Sequence, residues 1–379
     1  MLINNTCHRL CGGASLIEIL SRISKRAVKI FVILVLSVLA SSMVSYIIAA
    51  MNRDLQGSIY NELYAYHFYR DPKVLAVFNN KSIPAYERWH LAKRLAEMLA
   101  ERDLSSINSS IFNATRYAIK RALEILRFDL MLFDVSKAFS ALKYSSIAIV
   151  VMLTSMTFSG LLLGAISARK PNGILSKIIM TLNAVASSVP IWWLAIIVIY
   201  ILIIRGVVSI GPFFNPNVLT SKIILEKLGI MALVSAILGS MPLAYTTRAI
   251  VLGEQSKPYI ETLRAVGLND RRIARKTIRS ALPGVFSNMM SMTSDLMIYL
   301  LGLEVTLSYP GIGLLIASSF IVRIVEVGGD NVLQVQFFPE MFVVGAYLFA
   351  IIYALMDVFF ELLLTLTTTY DETYVSGGI

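Results

Sequence analysis

The chain has 379 residues, 56% of them hydrophobic and only 15% charged, with a net charge of +10 and a mean hydropathy of +0.70. Soluble domains carry about 25% charged residues, so the composition argues against a soluble enzyme and for a multi-pass membrane protein. The basic residues cluster at the ends of apolar runs, where cytoplasmic loops carry them, so the charge points to membrane topology and not to nucleic acid.

Residues 1–27 read as a cytoplasmic tail. Cys7 and Cys11 flank His8 there, too few ligands for a closed metal site. They are expected to be free thiols, and no metal site is expected. The first span covers 28–50, preceded by Arg22, Lys25, Arg26 and Lys29. Its apolar run exceeds the ~7–15 residues of a signal-peptide core, which favours a retained anchor over a cleaved leader.

Residues 51–143 are charged throughout and hold no spanning run. Tyr86–Arg102 places Leu91, Leu95, Met98 and Leu99 on one helical face, and Tyr117, Leu123 and Leu126 suggest a second helix. A small helical exterior domain is expected. Three glycosylation sequons begin at Asn80, Asn108 and Asn113, which fits an exterior location. A loop longer than ~60 residues translocates largely regardless of its charge.

Five further spans fill a five-helix core at 144–366: Tyr144–Ala168, Ile178–Ile204 with a kink at Pro190, Leu228–Thr247, Val285–Leu303 and Met341–Leu366. Gly211-Pro212 and Asn215-Pro216 mark an outer loop. Residues 367–379 form a second cytoplasmic tail. The short inner segments hold sixteen Lys and Arg, against four (Arg205, Lys222, Lys227, Arg323) in the short outer ones. That bias predicts an all-α membrane protein with six transmembrane helices and both ends inside.

The inner loop 248–282 carries its own pattern. Pro258 suits a first helical turn. Tyr259, Leu263 and Val266 share a face, Gly267 can take φ > 0 and stop the helix, and Asp270 can cap the next. That second helix has Ile273, Thr277 and Ala281 on one side and Arg272, Lys276 and Arg279 elsewhere. A basic loop of this kind also suits contact with anionic lipid.

The run Tyr259-Ile-Glu-Thr-Leu-Arg-Ala-Val-Gly-Leu resembles the cytoplasmic "EAA" loop of permease subunits of binding-protein-dependent ABC importers. Glu304-Val-Thr-Leu-Ser-Tyr-Pro-Gly-Ile-Gly313 is similar to a motif of the dipeptide, oligopeptide and nickel branch, with Leu307 in place of an aromatic. Ser188, Pro190 and Trp192 agree with the same branch. The resemblance covers about residues 144–366. The chain departs from it at Thr262 and Leu263, where the motif has two alanines, in the spacing from Gly267 to Leu282-Pro283, in an apparent insertion at 322–336, and in the tail at Tyr370-Asp371-Glu372.

The resemblance implies a type I importer permease whose loop docks in a groove of an ATPase. Tyr259, Glu261, Arg264, Ala265, Gly267 and Arg271 would make that coupling contact. Asp295, Glu304, Pro310, Gly311 and Gly313 would line or gate the solute path. It implies a second permease subunit, most simply a heterodimer, two cytoplasmic ABC ATPases and an extracytoplasmic solute-binding protein. The solute would be short peptides, with oligosaccharides or nickel as alternatives. The chain has no Gly-x4-Gly-Lys-Ser/Thr phosphate cradle, no cofactor motif and no nucleophile–base pair, so a non-catalytic subunit of the plasma membrane is expected.

The spans also carry polar residues. Asp295 falls in span five and Asp357 and Glu361 in span six, where a lone carboxylate costs at least ~2.5–3.5 kcal/mol. Ser155, Thr157 and Ser159, with Asn288, Ser291 and Thr293, suit either a wet route or helix packing. The alternative class is a non-transporting membrane receptor or scaffold with 51–143 as its sensor.

Overall fold

The structure, a computed structural model, describes residues 16–52, 55–127, 129, 135–215, 220–327 and 330–376. Cys7, His8, Cys11 and Pro216 lie outside these. Sixteen α-helices and one β-hairpin are found among the described residues. Numbered in chain order, they begin with α1 (Leu16–Met51), α2 (Gln56–Arg70), α3 (Pro72–Asn79), α4 (Ala85–Asn108), α5 (Ile111–Leu126) and α6 (Val135–Arg169). There follow α7 (Ile174–Ser188), α8 (Ile191–Ile204), α9 (Ile210–Phe214), α10 (Ser221–Val234) and, after a π turn at Ser235–Gly239, α11 (Ser240–Gln255). The rest are α12 (Pro258–Ala265), α13 (Asp270–Ser291), α14 (Thr293–Thr306), α15 (Ile312–Ser318), strands β1 (Phe320–Val327) and β2 (Asp330–Phe337), and α16 (Pro339–Ser376).

Among the described residues, four stretches are long and apolar enough to cross a bilayer: Val28–Met51, Val135–Arg169, Ser221–Gln255 and Pro339–Thr365. The expected third span is present but broken. Pro190 lacks the N–H that would continue the ladder, and α7 and α8 meet there at 100° instead of forming one kinked rod. The expected fifth span is also divided: α13 stops at Met292 and α14 starts at Thr293.

The chain forms two compact units, one of residues 1–30, 144–310 and 352–379, the other of 31–143 and 311–351. In the first, small residues set the helix spacing. A Cβ added to Gly160 would stand 2.8 Å from the Leu243 side chain, and one on Gly164 would stand 2.6 Å from Thr247 Cβ and 2.7 Å from the Ala244 carbonyl oxygen. The backbone of α6 therefore lies directly on α11, as small-x3-small faces allow. Ala168, Val251 and Ala281 extend that seam to α13.

In the second unit the buried faces differ from those expected. On α4 the inward stripe is Ala92, Ala96 and Leu99, packed with Val74, while Leu91 and Met98 are exposed. On α5 it is Ala114, Ala118, Ala122 and Ile125, while Leu123 is exposed. Alanines let the helices approach closely, and the leucine pattern alone misplaced the face. Arg121 is fully buried here among acids: its Nη1 donates to Glu124 and its Nη2 to Glu340 Oε2 at 2.9 Å. Tyr46 Oη donates to Glu62 Oε2 at 2.9 Å, and the Glu340 backbone N–H donates to Glu62 Oε1 at 3.1 Å.

The segment read as an insertion is a β-hairpin, with Phe320 opposite Phe337 and Val327 opposite Asp330. It is the one departure from an all-helical chain among the described residues. The Phe320 and Phe337 rings stack at 4.6 Å across its open end.

Candidate coupling loop and the Ser-Tyr-Pro-Gly turn

Helix α12 starts with Pro258 in its first turn. It ends in a Schellman turn, in which two N–H groups beyond the helix close onto carbonyls of the last turn. Gly267 N–H donates to Arg264 O at 2.9 Å and Leu268 N–H to Leu263 O at 3.2 Å. This geometry needs Gly267 in the left-handed region, and its φ is +83°. The cap of α13 is Asn269, whose side chain accepts from Arg272 N–H at 2.9 Å. Asp270, expected as the cap, is instead the first helical residue, where its charge favours the helix N-terminus.

The loop is pinned at its root. Ile260 is buried, Tyr259 Oη donates to Glu254 Oε1 at 3.0 Å, and Lys257 Nζ lies 2.6 Å from Glu254 Oε2. Beyond the root, Glu261, Arg264, Ala265, Gly267 and Arg271 are all exposed. Val266, expected on the apolar inner face with Tyr259 and Leu263, is 75% exposed. Ile260, one position along from Tyr259, takes the anchoring role.

The second motif makes the same turn with a different residue. Helix α14 ends at Thr306; Ser308 N–H donates to Val305 O at 3.1 Å and Tyr309 N–H to Glu304 O at 2.8 Å. Ser308 stands where glycine is usual and has φ +47°, an uncommon region for a residue with a Cβ. Its neighbours hold it. Lys227 Nζ donates to Ser308 O at 2.8 Å and lies 5.2 Å from the Phe213 ring centroid. Tyr309 Oη donates to Tyr144 O at 3.3 Å, and Ser145 Oγ donates to Glu304 Oε1. Glu304, Lys227 and Tyr309 are all buried. Pro310 and Gly311 follow in the chain, and Gly313 lies in α15.

Sequence reading counted Lys227 as a loop charge and did not single out Ser145. A lysine inside the apolar run Ile223–Ile230 was the available signal. Asp295 is exposed in the first turn of α14. Asn288 Nδ2 donates to Thr246 Oγ1 at 2.9 Å, joining α13 to α11. Ser155, Ser159 and Ser291 donate their hydroxyls to carbonyls of their own helices. No group of three metal-ligating side chains is found among the described residues.

A family profile, "Binding-protein-dependent transport system inner membrane component", matches residues 160–367, more than half of the chain. The chain belongs to this family. The match runs from Gly160 through α12 and α13 and the Ser-Tyr-Pro-Gly turn into α16, and leaves 51–143 outside it. No curated protein matches the chain. As an inner membrane component with several membrane-crossing helices, the permease is a multi-pass protein of the plasma membrane. The family is a transporter component, and membership brings a binding protein and ATPases as its working partners.

Proposed function

We propose that this permease forms half of the path by which an ATP-driven importer takes up short peptides, coupled to its ATPases through residues 258–267. The single observation that carries the coupling is the exposed, rigidly ended helix α12. Its root is fixed by Ile260 and the Tyr259–Glu254 bond, while its Glu261, Arg264 and Ala265 are exposed, as is Arg271 at the start of α13. A helix held at one side and free at the other transmits displacement, and nucleotide shifts the bundle only by differential contact with its two arrangements. Glu261, Arg264 and Arg271 supply charge-assisted bonds to the ATPase groove.

In this reading six spans cross the bilayer with both ends inside. The pair α7 and α8 serves as span three, and α13 with α14 supplies span five. Residues 51–143 lie outside. A second, different permease chain completes the path. Glu304, Pro310, Gly311 and Gly313 belong to the gate, and Asp295 attracts the amino terminus of a peptide. The peptide-type branch is supported by Glu304-Val-Thr-Leu-Ser-Tyr-Pro-Gly-Ile-Gly313.

The test is the assembled importer in lipid discs, assayed with a mixture of short peptides. A Gly267→Val chain is expected to reach the membrane and assemble, yet lose peptide-stimulated ATP hydrolysis. Normal stimulation in that variant overturns the coupling role. Mass spectrometry of solute retained on the copurified binding protein tests the peptide assignment, and retained metal or sugar overturns it.

A further inference from the structure

We propose that Asn80 is the acceptor of an N-linked glycan, and that Asn108 and Asn113 are not, although all three head the same Asn-x-Ser/Thr pattern. The proposal rests on the exterior placement of 51–143. What separates the three is the hydrogen bonding of the two groups that the transfer needs: the amide nitrogen and the hydroxyl two residues on.

Asn80 sits just past the end of α3, in an extended conformation with φ −76° and ψ 96°. Asn80, Lys81 and Ser82 are all exposed and lie on a turn closed by Ile83 N–H donating to Asn80 O at 3.3 Å. Ser82 Oγ donates to Asn80 Oδ1 at 2.6 Å, and Ser82 N–H donates to the same oxygen at 3.1 Å. Both bonds go to Oδ1 and leave Nδ2 with no hydrogen bond among the described residues. The sequon is folded around its own amide oxygen, on an exposed residue whose nitrogen has no bond to give up.

The other two are committed elsewhere. Asn113 Nδ2 donates to Ser106 O at 3.0 Å and to Ser109 Oγ at 2.9 Å, which uses both of its hydrogens. The Thr115 hydroxyl of that sequon donates to Ile111 O at 2.8 Å inside α5. Asn108 is the last residue of α4, and its Oδ1 is buried. The Ser110 hydroxyl of its sequon accepts from Asn113 N–H as the cap of α5. A glycan on Asn113 costs a bond that ties α5 to the end of α4, and drawing the Ser110 hydroxyl into transfer at Asn108 uncaps α5; a glycan on Asn80 Nδ2 costs no hydrogen bond.

In the transfer, Asn80 Nδ2 bonds to the anomeric carbon of a polyprenyl-phosphate-linked oligosaccharide. The carbon–oxygen bond to phosphate breaks and the phosphate leaves with the electron pair. Nδ2 gives up one proton to base. The reaction is transfer onto the folded chain.

The protein is purified from the cells that make it, and its peptides are read by mass spectrometry. The peptide with Asn80 is expected to carry a hexose-containing mass. Asn80→Gln and Ser82→Ala lose it, Ser82→Thr keeps it, and the peptides with Asn108 and Asn113 are bare. A bare Asn80 overturns the proposal, as does a glycan on Asn108 or Asn113. Side of the membrane is read separately, with Lys81→Cys in a chain carrying Cys7→Ser, Cys11→Ser and Asn80→Gln, labelled on intact cells by a membrane-impermeant maleimide. Labelling with a bare Asn80 sinks only the glycan. Labelling that appears only after permeabilisation sinks the exterior placement and the proposal with it.

Discussion

Arg121 Nη2 donates to Glu340 Oε2 across 2.9 Å, with both side chains closed to solvent. The pair joins α5 to the first turn of α16, and Glu62 and Tyr46 complete the cluster. Taking charges out of water costs several kcal/mol each, so such a cluster is held only while every member keeps its partners.

Arg121→Met leaves Glu62 and Glu340 buried without their cation. A loss of about 3–5 kcal/mol is expected for breaking a buried pair on one side. The measurement is the thermal unfolding midpoint in detergent. Adding Glu62→Gln and Glu340→Gln to that chain should recover most of the loss, because the two fully buried carboxyls are then neutral and the third partner, Glu124, is partly exposed. Equal midpoints for the single and the triple variant would refute the ionic account.

The same cluster sets a pH dependence. Burial raises the Glu62 carboxyl, the Arg121 charge opposes this, the Glu340 charge adds to it, and the outcome is a shift from 4.5 to about 7. The folded chain therefore holds a proton that the unfolded chain releases. Glu62 contributes its stability in full below about pH 4.5, and the contribution is lost as pH rises through about 7. Unfolding midpoints measured from pH 4.5 to 8 should fall along this range. Glu62→Gln should remove that part of the slope.

Ser308 carries a left-handed backbone at a site that glycine fills at no steric cost. Ser308→Gly should stabilise the permease by up to about 1 kcal/mol, and Ser308→Val should destabilise it by more. Lys227→Met should cost stability too, because the Ser308 carbonyl loses its donor. Unfolding midpoints of the three variants test the order.

At Gly267 nothing lies within 4 Å of an added Cβ, so only the backbone angle resists substitution. Asn, which tolerates this region, should keep most ATPase stimulation in the assembled importer, whereas Val should lose it. Equal loss in both variants would mean that the contact with the ATPase, and not the turn, is what matters.

Gly164→Leu should be severe. Even its Cβ meets the Thr247 side chain and the Ala244 carbonyl, and overpacking of this kind costs about 1–3 kcal/mol or more. Reduced yield of folded protein by size-exclusion chromatography is the expected outcome.

Much of this was readable in advance, for physical reasons that differ by element. The helix, glycine turn and second helix start at 258–282 were legible because Pro258 and Gly267 permit few backbone conformations. Long apolar runs announced four crossing segments, since length and hydropathy alone decide them. Pro190 announced a break but not a 100° bend, because the angle depends on what packs around it. The buried faces of α4 and α5 were missed because alanine carries little hydrophobic signal and yet fills the closest contacts. Lys227, Ser145 and Arg121 were missed because their partners lie 81, 159 and 219 residues away in the chain.

The end of α12 satisfies the Leu263 and Arg264 carbonyls from within, through Leu268 and Gly267. In the coupling role proposed above, a partner that grips or releases this helix leaves both of those bonds in place, which suits a part that is engaged and freed at every turnover.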